Sequence, residues 1–484
     1  MLKIRSRLCC SGYIVIVPLA LLTLLLPFTI RYRLFRLKVG LEEPLHLFLV
    51  DAFYYNSSKS FDNNTVAVLF NTRKNALTLP ILCESRNENG DVLQSSAETE
   101  IVVNAPGQCQ FTTFVAKCTA VPEPSEFALG VHSRALRKIP FSKVDHRPRK
   151  LVVCMSRMYY FENWQLLFTS LQIYRHFGAD LIVTYIESIL ENIHTILKAY
   201  EKEEFVLAKP GIRMFKARGM PYDPNAESEW GNQLSVYNSC LFEFKESAEF
   251  MLFADWDDVL IPNNFPNYVE ELRFMFRNHP TAAALIFPRT NARALVSYDP
   301  EAFNITYTFR TLFPLESRVA GKYVAIPSLI KGSWVHWAAS LKDDYTQIAL
   351  RNTTSLFWHL RVWEKYEKME KRLLSDDLTG RSVELSLSFT DFLSRHNLTH
   401  VFERLPQKPV YYPALVNCYK QIESKLDNLS YAKCPSPTDC KVPNFNVDCV
   451  NLHTTFESTE LVAGVHWHVR IADHLKVSPR GCVI

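Results

Sequence analysis

The stretch EFMLFADWDDVLIP, residues 249–262, places three carboxylates directly behind an apolar run. Residues 250–254 have the length and composition of a buried strand, and Asp255, Asp257 and Asp258 follow within four positions. Like charges beside a buried segment repel each other and are costly to desolvate unless a positive group joins them. The stretch therefore predicts a cation at the end of this strand.

The residues before this stretch alternate between short apolar runs and amphipathic segments. Such strands and helices in alternation predict an α/β unit of the Rossmann type with a parallel sheet. The predicted strands are residues 151–155, 181–186 and 205–209, and the predicted helices are 161–177, which ends at Gly178 as a C-cap, 189–200 and 230–248. Ligands bind beyond the carboxyl ends of strands in such sheets, which is where the acidic cluster lies.

The spacing of the aspartates favours a divalent metal as the cation. Side chains at i and i+2 of an extended backbone point to the same side, so Asp255 and Asp257 can converge on one ion. Carboxylates suit Mg²⁺ or Mn²⁺, which take further ligands from substrate phosphates and offset the charge of a leaving diphosphate. Asp258 would be a third ligand or would hold the metal through water. The alternative is that the aspartates cap a helix or close a turn, which we favour for one Asp but not for D-x-D-D.

Later residues are candidates for completing this site. A metal so placed needs another ligand, and we consider His336, in SWVHWAAS, and His359, in LFWHLRVWEKY. A lone His among Trp residues is more often a satisfied core residue, so the choice stays open. Arg361 is predicted to pair with phosphate as a fixed cation.

Composition describes a folded protein with an unusual N-terminus. The 484 residues, 48% hydrophobic and 21% charged with a net charge of +4, leave room for two or three domains and give no sign of nucleic-acid binding. Residues 13–30 carry no charge and are flanked by basic residues, and their length just reaches a membrane span. No clear cleavage pattern follows, so we expect a retained signal anchor rather than a cleaved signal peptide.

Sequons and cysteines set the expected compartment. Beyond the predicted span lie six N-x-[ST] sequons, at Asn56, Asn63, Asn304, Asn352, Asn397 and Asn428. Ten cysteines follow the span, an even number that suits disulfides in an oxidising compartment. A zinc site at Cys434, Cys440 and Cys449 is the alternative, although no paired C-x-x-C supports it. We expect a single-pass type II membrane protein of the Golgi or another secretory compartment, with a lumenal body.

The predicted organisation has six segments. They are a cytosolic tail at 1–12, a transmembrane signal anchor at 13–30, a stem at 31–44, a β-rich lumenal domain at 45–140, a catalytic α/β domain at 149–405, and a Cys-rich C-terminal region at 406–484.

Several motifs in order give the chain a family resemblance. LVVCMSRMYY, WQLLFTSLQIYRHFGADLIVTYIES, GNQLSVYNSCLFEF, LFADWDDVLIP, KYVAIPSLIKGSWVHW and WHLR, between about residues 151 and 366, resemble glycosyltransferase family 92, also called the DUF23 family. Asp258 stands where the family has Glu, and Leu360 stands where it has Tyr. No single motif is specific, but their order and spacing together are.

The resemblance implies a fold, a chemistry and site residues. It implies a GT-A fold, a divalent metal (Mn²⁺ or Mg²⁺), a UDP-sugar donor, in characterised members UDP-galactose, and a glycan acceptor. The reaction would invert the configuration at the anomeric carbon. By position, Asp255 and Asp257 would bind the metal, with Asp258 beside the nucleotide, and His336 or His359 would be the late histidine.

Inversion needs a general base at the acceptor hydroxyl. Glu316, Asp343, Asp344 and Glu364 lie in the acceptor-side half by sequence order, and we slightly favour Asp343 or Asp344. We therefore predict a metal-dependent hexosyltransferase of the secretory pathway. Two alternatives remain: an inactive lectin-like or receptor protein with the same fold, and a metal phosphohydrolase, which needs no sugar acceptor.

Overall fold

The computed structural model describes residues 43–484 except 105, 132, 134, 352–354, 366–380, 428–432 and 463. At residues 77, 78, 317, 318, 361–365 and 427 it describes the backbone only. The predicted tail and anchor and most of the stem lie outside the described residues. Within the described part of the chain, no helix is long and apolar enough to cross a membrane.

The N-terminal region is β-rich, as its short β-type runs predict. Its strands are β1 (Leu45–Tyr55), β2 (Thr65–Arg73), β3 (Leu82–Asn87), β4 (Val92–Ser96), β5 (Glu98–Ile101), β6 (Phe111–Thr119), β7 (Pro124–Gly130), β8 (Arg137–Lys138) and β9 (Ser142–Lys143). Strands β4, β3, β7 and β8 form a small antiparallel sheet of their own.

Helices and strands alternate in the central region. The elements are β10 (Arg149–Met158), α1 (Trp164–His176), β11 (Leu181–Ile186), β12 (Ser188–Leu190), α2 (Glu191–Lys202), β13 (Val206–Pro210), α3 (Gln233–Phe244), β14 (Ala248–Ala254), β15 (Asp258–Ile261), α4 (Tyr268–Asn278), β16 (Ala282–Val296), α5 (Ile305–Thr311), β17 (Phe313–Ala325), β18 (Ile330–Ser333), β19 (Ala338–Leu341), β20 (Thr346–Ala349) and β21 (Leu356–Lys365). Helix α1 is capped by the Asn163 side chain, which accepts from Leu166 N–H, and Gly178 follows its C-terminus with φ +82°. The C-cap predicted from the sequence is confirmed.

The central sheet has a parallel half and a mixed half. Its order is β13-β11-β10-β14-β17-β16-β21-β15, and the first four strands are parallel. Alternate residues of β10 and β14 pack on opposite faces: Leu151 and Leu252 share one core with α1 and α2, whereas Val152 and Phe253 share another with α3. The predicted α/β class is confirmed, and the acidic cluster follows β14 at its carboxyl end.

The C-terminal region pairs with strands of both the N-terminal and the central regions. It contains α6 (Ser382–Arg395), α7 (Thr399–Phe402), α8 (Tyr411–Asp427), β22 (Cys449–Val462) and β23 (Val465–Ser478). Strand β23 pairs in parallel with β1, and β22 pairs with β12, so one sheet of order β12-β22-β23-β1-β2-β6-β5 joins the two ends of the described chain to the central region. The same sheet packs on α3, where Tyr55 Oη donates to Phe242 O at 2.5 Å.

All ten cysteines beyond the predicted span form disulfides. The pairs are Cys83–Cys118, Cys109–Cys434, Cys154–Cys240, Cys418–Cys440 and Cys449–Cys482. The prediction of disulfides is confirmed. The zinc alternative was wrong, because Cys434, Cys440 and Cys449 belong to three different disulfides.

Candidate active site

The acidic cluster lies in the turn between β14 and β15. Asp258 N–H donates to Asp255 O at 2.9 Å, which closes the turn, and Asp258 opens β15. Residues 256 and 257 form a turn rather than an extended strand, so the i, i+2 argument does not apply to Asp255 and Asp257. Trp256 is buried, and its Nε1–H donates to Thr184 Oγ1 at 3.2 Å. The antiparallel pairing of β15 with β21 sets Asp258 opposite His359. A local turn and one long-range pairing therefore assemble the cluster.

Two buried cations of the chain itself join the aspartates. Lys322 Nζ on β17 lies 2.7 Å from Asp255 Oδ2 and 3.5 Å from Asp258 Oδ2, and its side chain is fully buried. Arg289 Nε on β16 lies 3.1 Å from Asp258 Oδ1. Lys322 and Arg289 therefore supply part of the positive charge that the three aspartates were predicted to need. Three carboxylates against two cations still leave a net negative charge.

His359 stands between two hydrogen-bond acceptors. Its Nε2 lies 2.9 Å from Asp257 Oδ2, and its Nδ1 lies 2.9 Å from Asn291 Oδ1, which the parallel pairing of β16 with β21 sets opposite it. When Nδ1–H donates to Asn291, Nε2 carries a lone pair that faces the Asp257 carboxylate, and a cation between the two satisfies both. Histidine ligands of metals are commonly oriented by such a second hydrogen bond.

These residues fit a divalent metal. Asp257, Asp258 and His359 each present a ligand atom, and these atoms all lie within 4.8 Å of one another. Asp258 Oδ1 is buried and makes no aligned hydrogen bond, and the same holds for Arg289 Nε across from it. Two carboxylates and one imidazole form a donor set that Mn²⁺ accepts and that Mg²⁺ accepts less readily. Among the described residues, Asp255 and His336 are outside this group of three.

Asp255 is held by donors of the protein on both carboxylate oxygens. Oδ2 pairs with Lys322, and Oδ1 lies 2.6 Å from Gln233 Nε2 and 2.9 Å from Tyr237 Oη. Both of these side chains are on α3, in the segment GNQLSVYNSCLFEF. Asp255 therefore ties α3 and β17 to the turn; its prediction as a metal ligand stays a prediction.

Burial and the cations push the three carboxylates in different directions. Burial raises the pKa of Asp255, but the ammonium of Lys322 outweighs it and holds that pKa well below its usual range. Burial also raises the pKa of Asp257, but the neighbouring His359 outweighs it, so that this pKa is lowered. For Asp258 burial prevails over Arg289 and Lys322, and its pKa is raised. Asp255 and Asp257 are thus ionised at neutral pH.

The cluster opens into a cavity of about 300 Å³. Asp255, Asp257, Arg289, His336 and His359 form its charged end. A second wall comes from the end of β10 and the loop after it, from the loop before α3, and from one face of α8. These wall residues include Arg157, Tyr159, Tyr160, Glu162, Trp230, Tyr412, Leu415, Val416, Tyr419 and Glu423. The contribution of α8 was not anticipated, because its cavity-facing residues repeat at ordinary amphipathic spacing and carry no motif.

The wall formed by α8 is fixed to the central region at two points. Glu162 accepts hydrogen bonds from Val410 N and Tyr412 N, at 2.8 and 2.6 Å, and so caps the start of the helix. Tyr419 Oη contacts Tyr159 Oη farther along. The loop that carries Trp230 also requires a glycine: a Cβ on Gly231, at φ +60°, would stand 2.5 Å from Arg157 Nη2. Hydrogen bonds and close packing therefore hold both walls of the cavity in place.

Other predicted site residues lie elsewhere. Asp343 and Asp344 are exposed in the loop after β19, where Asp343 faces Lys331 at 3.6 Å, and Glu316 is exposed on β17. None of the three is among the described residues that line the cavity. The side chains of Arg361 and Glu364 lie outside the described residues. His336 does line the cavity; its Nδ1–H donates to Gly321 O at 2.8 Å, and burial, with Lys322 and Arg289, lowers its pKa to about 3.

Sequence comparison assigns the family. The model of glycosyltransferase family 92 matches residues 149–400, more than half of the chain. The chain belongs to glycosyltransferase family 92. It is 27% identical to the Caenorhabditis elegans family 92 protein F59C6.8 over 89% of this chain and 87% of that protein. It is 26% identical to F13G3.3 of the same organism over 84% of each.

Solved structures resemble the fold only weakly. Staphylococcus aureus TarS, solved in complex with UDP-GlcNAc, aligns with 51% of this chain and 73% of its own at a TM-score of 0.24 and 13% identity. The family assignment rests on sequence, and the resemblance inferred from the motifs is confirmed. As a member of this family, the protein is a glycosyltransferase.

Proposed function

We propose that this glycosyltransferase moves a hexose, galactose from UDP-galactose, onto a glycan acceptor with the help of Mn²⁺ or Mg²⁺. The observation that carries the proposal is the convergence of Asp257, Asp258 and His359 at the charged end of a cavity beyond the carboxyl end of β14. The donor sugar comes from the family resemblance. When bound there, the metal would offset the charge of the departing UDP.

The residues of the chain have separable tasks in this reaction. Asp257, Asp258 and His359 would hold the metal, while Asn291 orients His359 and Lys322 keeps the turn in place. Arg289 lines the cavity and offers the diphosphate a fixed positive charge. An acceptor hydroxyl attacks the anomeric carbon; the new carbon–oxygen bond forms as the bond to the UDP oxygen breaks, and UDP leaves with the electron pair.

The proton of the acceptor hydroxyl needs a base within the cavity. Outside the acidic cluster, Glu162 and Glu423 are the carboxylates among the described lining residues. We propose Glu423, a carboxylate on α8 that lines the cavity, as the candidate base. Glu423→Gln should lower kcat about 100-fold or more and leave UDP binding unchanged. Asp343→Asn, an exposed carboxylate, is the matched control, and equal rates in both variants would remove the assignment.

The secretory location is part of the same proposal. Five disulfides favour an oxidising compartment. The sequon asparagines that the structure describes, Asn56, Asn63, Asn304 and Asn397, are all exposed. The uncharged stretch at residues 13–30 would anchor the chain with its body in the lumen. Digestion with an N-glycosidase should shift the mobility of the protein from cells, and an unshifted band would contradict the location.

The deciding experiment is calorimetry of UDP binding to a secreted form of the protein that begins at Val39. With Mn²⁺ present we expect binding, and with EDTA we expect none. Asp257→Asn should weaken metal-dependent binding about 100-fold, whereas Asp343→Asn should not change it. Binding that is equal with and without metal would show that Lys322 and Arg289 suffice for the diphosphate. No binding at all by a folded protein would overturn the proposed donor class.

A further inference from the structure

A tight turn at the rim of the cavity carries two tryptophans. Strands β18 and β19 are joined by Trp334, Val335, His336 and Trp337, and Trp334 N–H donates to Trp337 O at 3.0 Å. The middle two residues of this turn line the cavity. The two indoles therefore flank the segment that borders the charged end of the site.

The turn is braced against the acidic cluster. Lys322 Nζ, which pairs with Asp255, also donates to Val335 O at 3.1 Å. Behind the turn, Ser333 and Asn238 exchange two hydrogen bonds, of 2.8 and 2.9 Å. The tryptophans are thus held at a fixed place relative to the candidate metal ligands, as a binding surface requires.

The two indoles pack against each other, and one of them is exposed. Their ring centroids lie 4.1 Å apart at an interplanar angle of 38°. Trp334 is half-buried, and its Nε1–H donates to Glu229 Oε2 at 3.2 Å, so it serves as a fixed backing. Trp337 is 43% exposed. Among the tryptophan side chains that the structure describes, it is the exposed one; Trp164, Trp256, Trp358 and Trp467 are at most 3% exposed.

A single exposed apolar residue needs no functional explanation. Trp337 differs because the surrounding structure holds it in place. It lies on a hydrogen-bonded turn, packs against a second indole, and is next to the cavity of a sugar-transferring enzyme. The face of a pyranose ring that carries axial hydrogens is apolar and packs on an indole face, while its hydroxyls stay available to polar groups. A donor nucleotide would occupy the charged end, which leaves the rim for the other substrate.

We propose that Trp337, backed by Trp334, is a stacking platform for a pyranose ring of the acceptor glycan. This inference rests on the proposed function for the identity of the ligand as acceptor. It concerns a different surface from the metal and nucleotide site. The platform would orient the acceptor so that its hydroxyl faces the cavity, and it would select acceptors by the apolar face of their ring.

Saturation-transfer NMR tests the platform without depending on turnover. The probes are the methyl glycosides of glucose, galactose, mannose and N-acetylglucosamine at millimolar concentration, with the secreted protein in UDP and Mg²⁺. We expect saturation of the ring protons of at least one glycoside, lost in Trp337→Ala and partly kept in Trp337→Phe. Tyr345→Ala is the matched control, because Tyr345 is an aromatic side chain of similar exposure, 37%, that lies in the loop after β19, outside this turn.

Acceptor kinetics give the second measurement. Where transfer from UDP-galactose to one of these glycosides is detectable, Trp337→Ala should raise the acceptor KM about tenfold with little change in kcat or in UDP affinity. Saturation that is equal in wild type and Trp337→Ala, or absent from wild type, would overturn the platform. Trp337-dependent saturation without metal-dependent UDP binding would refute the proposed donor chemistry and keep the sugar-binding surface, so the two failures are distinguishable.

Discussion

Two buried clusters of titratable side chains in this molecule have opposite constructions. Asp255 and Asp257 after β14 are ionised, Lys322 and Arg289 compensate the cluster, and the cluster opens into a cavity. The histidines of β1 and β23, namely His46, His466 and His468, stack on one another with ring centroids 4.9 to 6.5 Å apart.

Hydrogen bonds link two of these histidines to each other and to a serine. His46 Nδ1 lies 2.9 Å from His468 Nε2, and His468 Nδ1 lies 2.8 Å from Ser458 Oγ, so the ring nitrogens point along a chain. Burial, with the neighbouring histidines, lowers the pKa of His46 to about 4 and that of His468 to about 3, which keeps both rings neutral. In the aspartate cluster, by contrast, ligand atoms converge and Asp258 Oδ1 stays without an aligned partner. Convergence on open space, rather than a shifted pKa, therefore separates a candidate site from a structural cluster.

Removing the buried cation should produce the largest effect. Lys322→Met leaves Asp255 and Asp258 with one fewer compensating charge in a buried place, so the free energy of unfolding should fall by about 3–5 kcal/mol. Chemical denaturation measures it. Lys331→Met is the control, since Lys331 is 41% exposed and faces the exposed Asp343 carboxylate; it should change stability by less than about 0.5 kcal/mol.

A second substitution checks the cause of that loss. Adding Asp255→Asn to Lys322→Met should restore part of the stability, because one of the uncompensated charges is then gone. If the double variant is less stable than Lys322→Met alone, charge compensation is not what Lys322 contributes.

Asn291 should matter for metal rather than for stability. Asn291→Ala frees the His359 ring from its second hydrogen bond, so Mn²⁺ affinity, measured by calorimetric titration, should fall about tenfold. Asn291→Asp keeps an acceptor for Nδ1–H and should recover most of that affinity. A drop in melting temperature with unchanged Mn²⁺ affinity would mean that Asn291 only packs, and the two clusters would then differ less than the geometry indicates.

The histidine cluster should affect the stability of the protein only at acidic pH. A histidine whose folded pKa is lowered gives stability that is lost as pH falls from the unfolded value near 6.5 through the folded value. His46→Gln should therefore flatten the loss of stability between about pH 6.5 and pH 4 and leave UDP binding unchanged. The exposed His400→Gln should keep the slope of the wild type. If the free energy of unfolding of His46→Gln falls with pH as steeply as that of the wild type, the neutral ring of His46 is not the cause of the loss of stability in acid.

The parts of the site that could be predicted are those that are local in sequence. The strand before the aspartates and the Gly178 cap are each determined by residues that are close together in the sequence. His359 was one of two candidates because only the pairing of β15 with β21 distinguishes it from His336.

The parts that could not be predicted come from pairings distant in sequence. Lys322 and Arg289 reach the cluster through antiparallel strands 31 to 67 residues away, and nothing in the sequence states their register. A weak signal existed: Lys322 precedes the apolar run YVAI, and a charged residue next to a buried apolar run needs a partner. The exposed Asp343 and Asp344 were chosen by sequence order alone, and sequence order does not tell which loops face a cavity.

The pairing of β1 with β23 has a consequence for the order in which the protein is made. Until β23 has been synthesised, Leu45–Phe48 of β1 lack their parallel partner, and the sheet that begins with β1 is completed only after the central region has been made. The bond between Cys109 and Cys434 likewise waits for the far end of the chain. A truncation before β22 should therefore fail as a whole, with chaperone retention of the N-terminal region, even though the catalytic strands are all present.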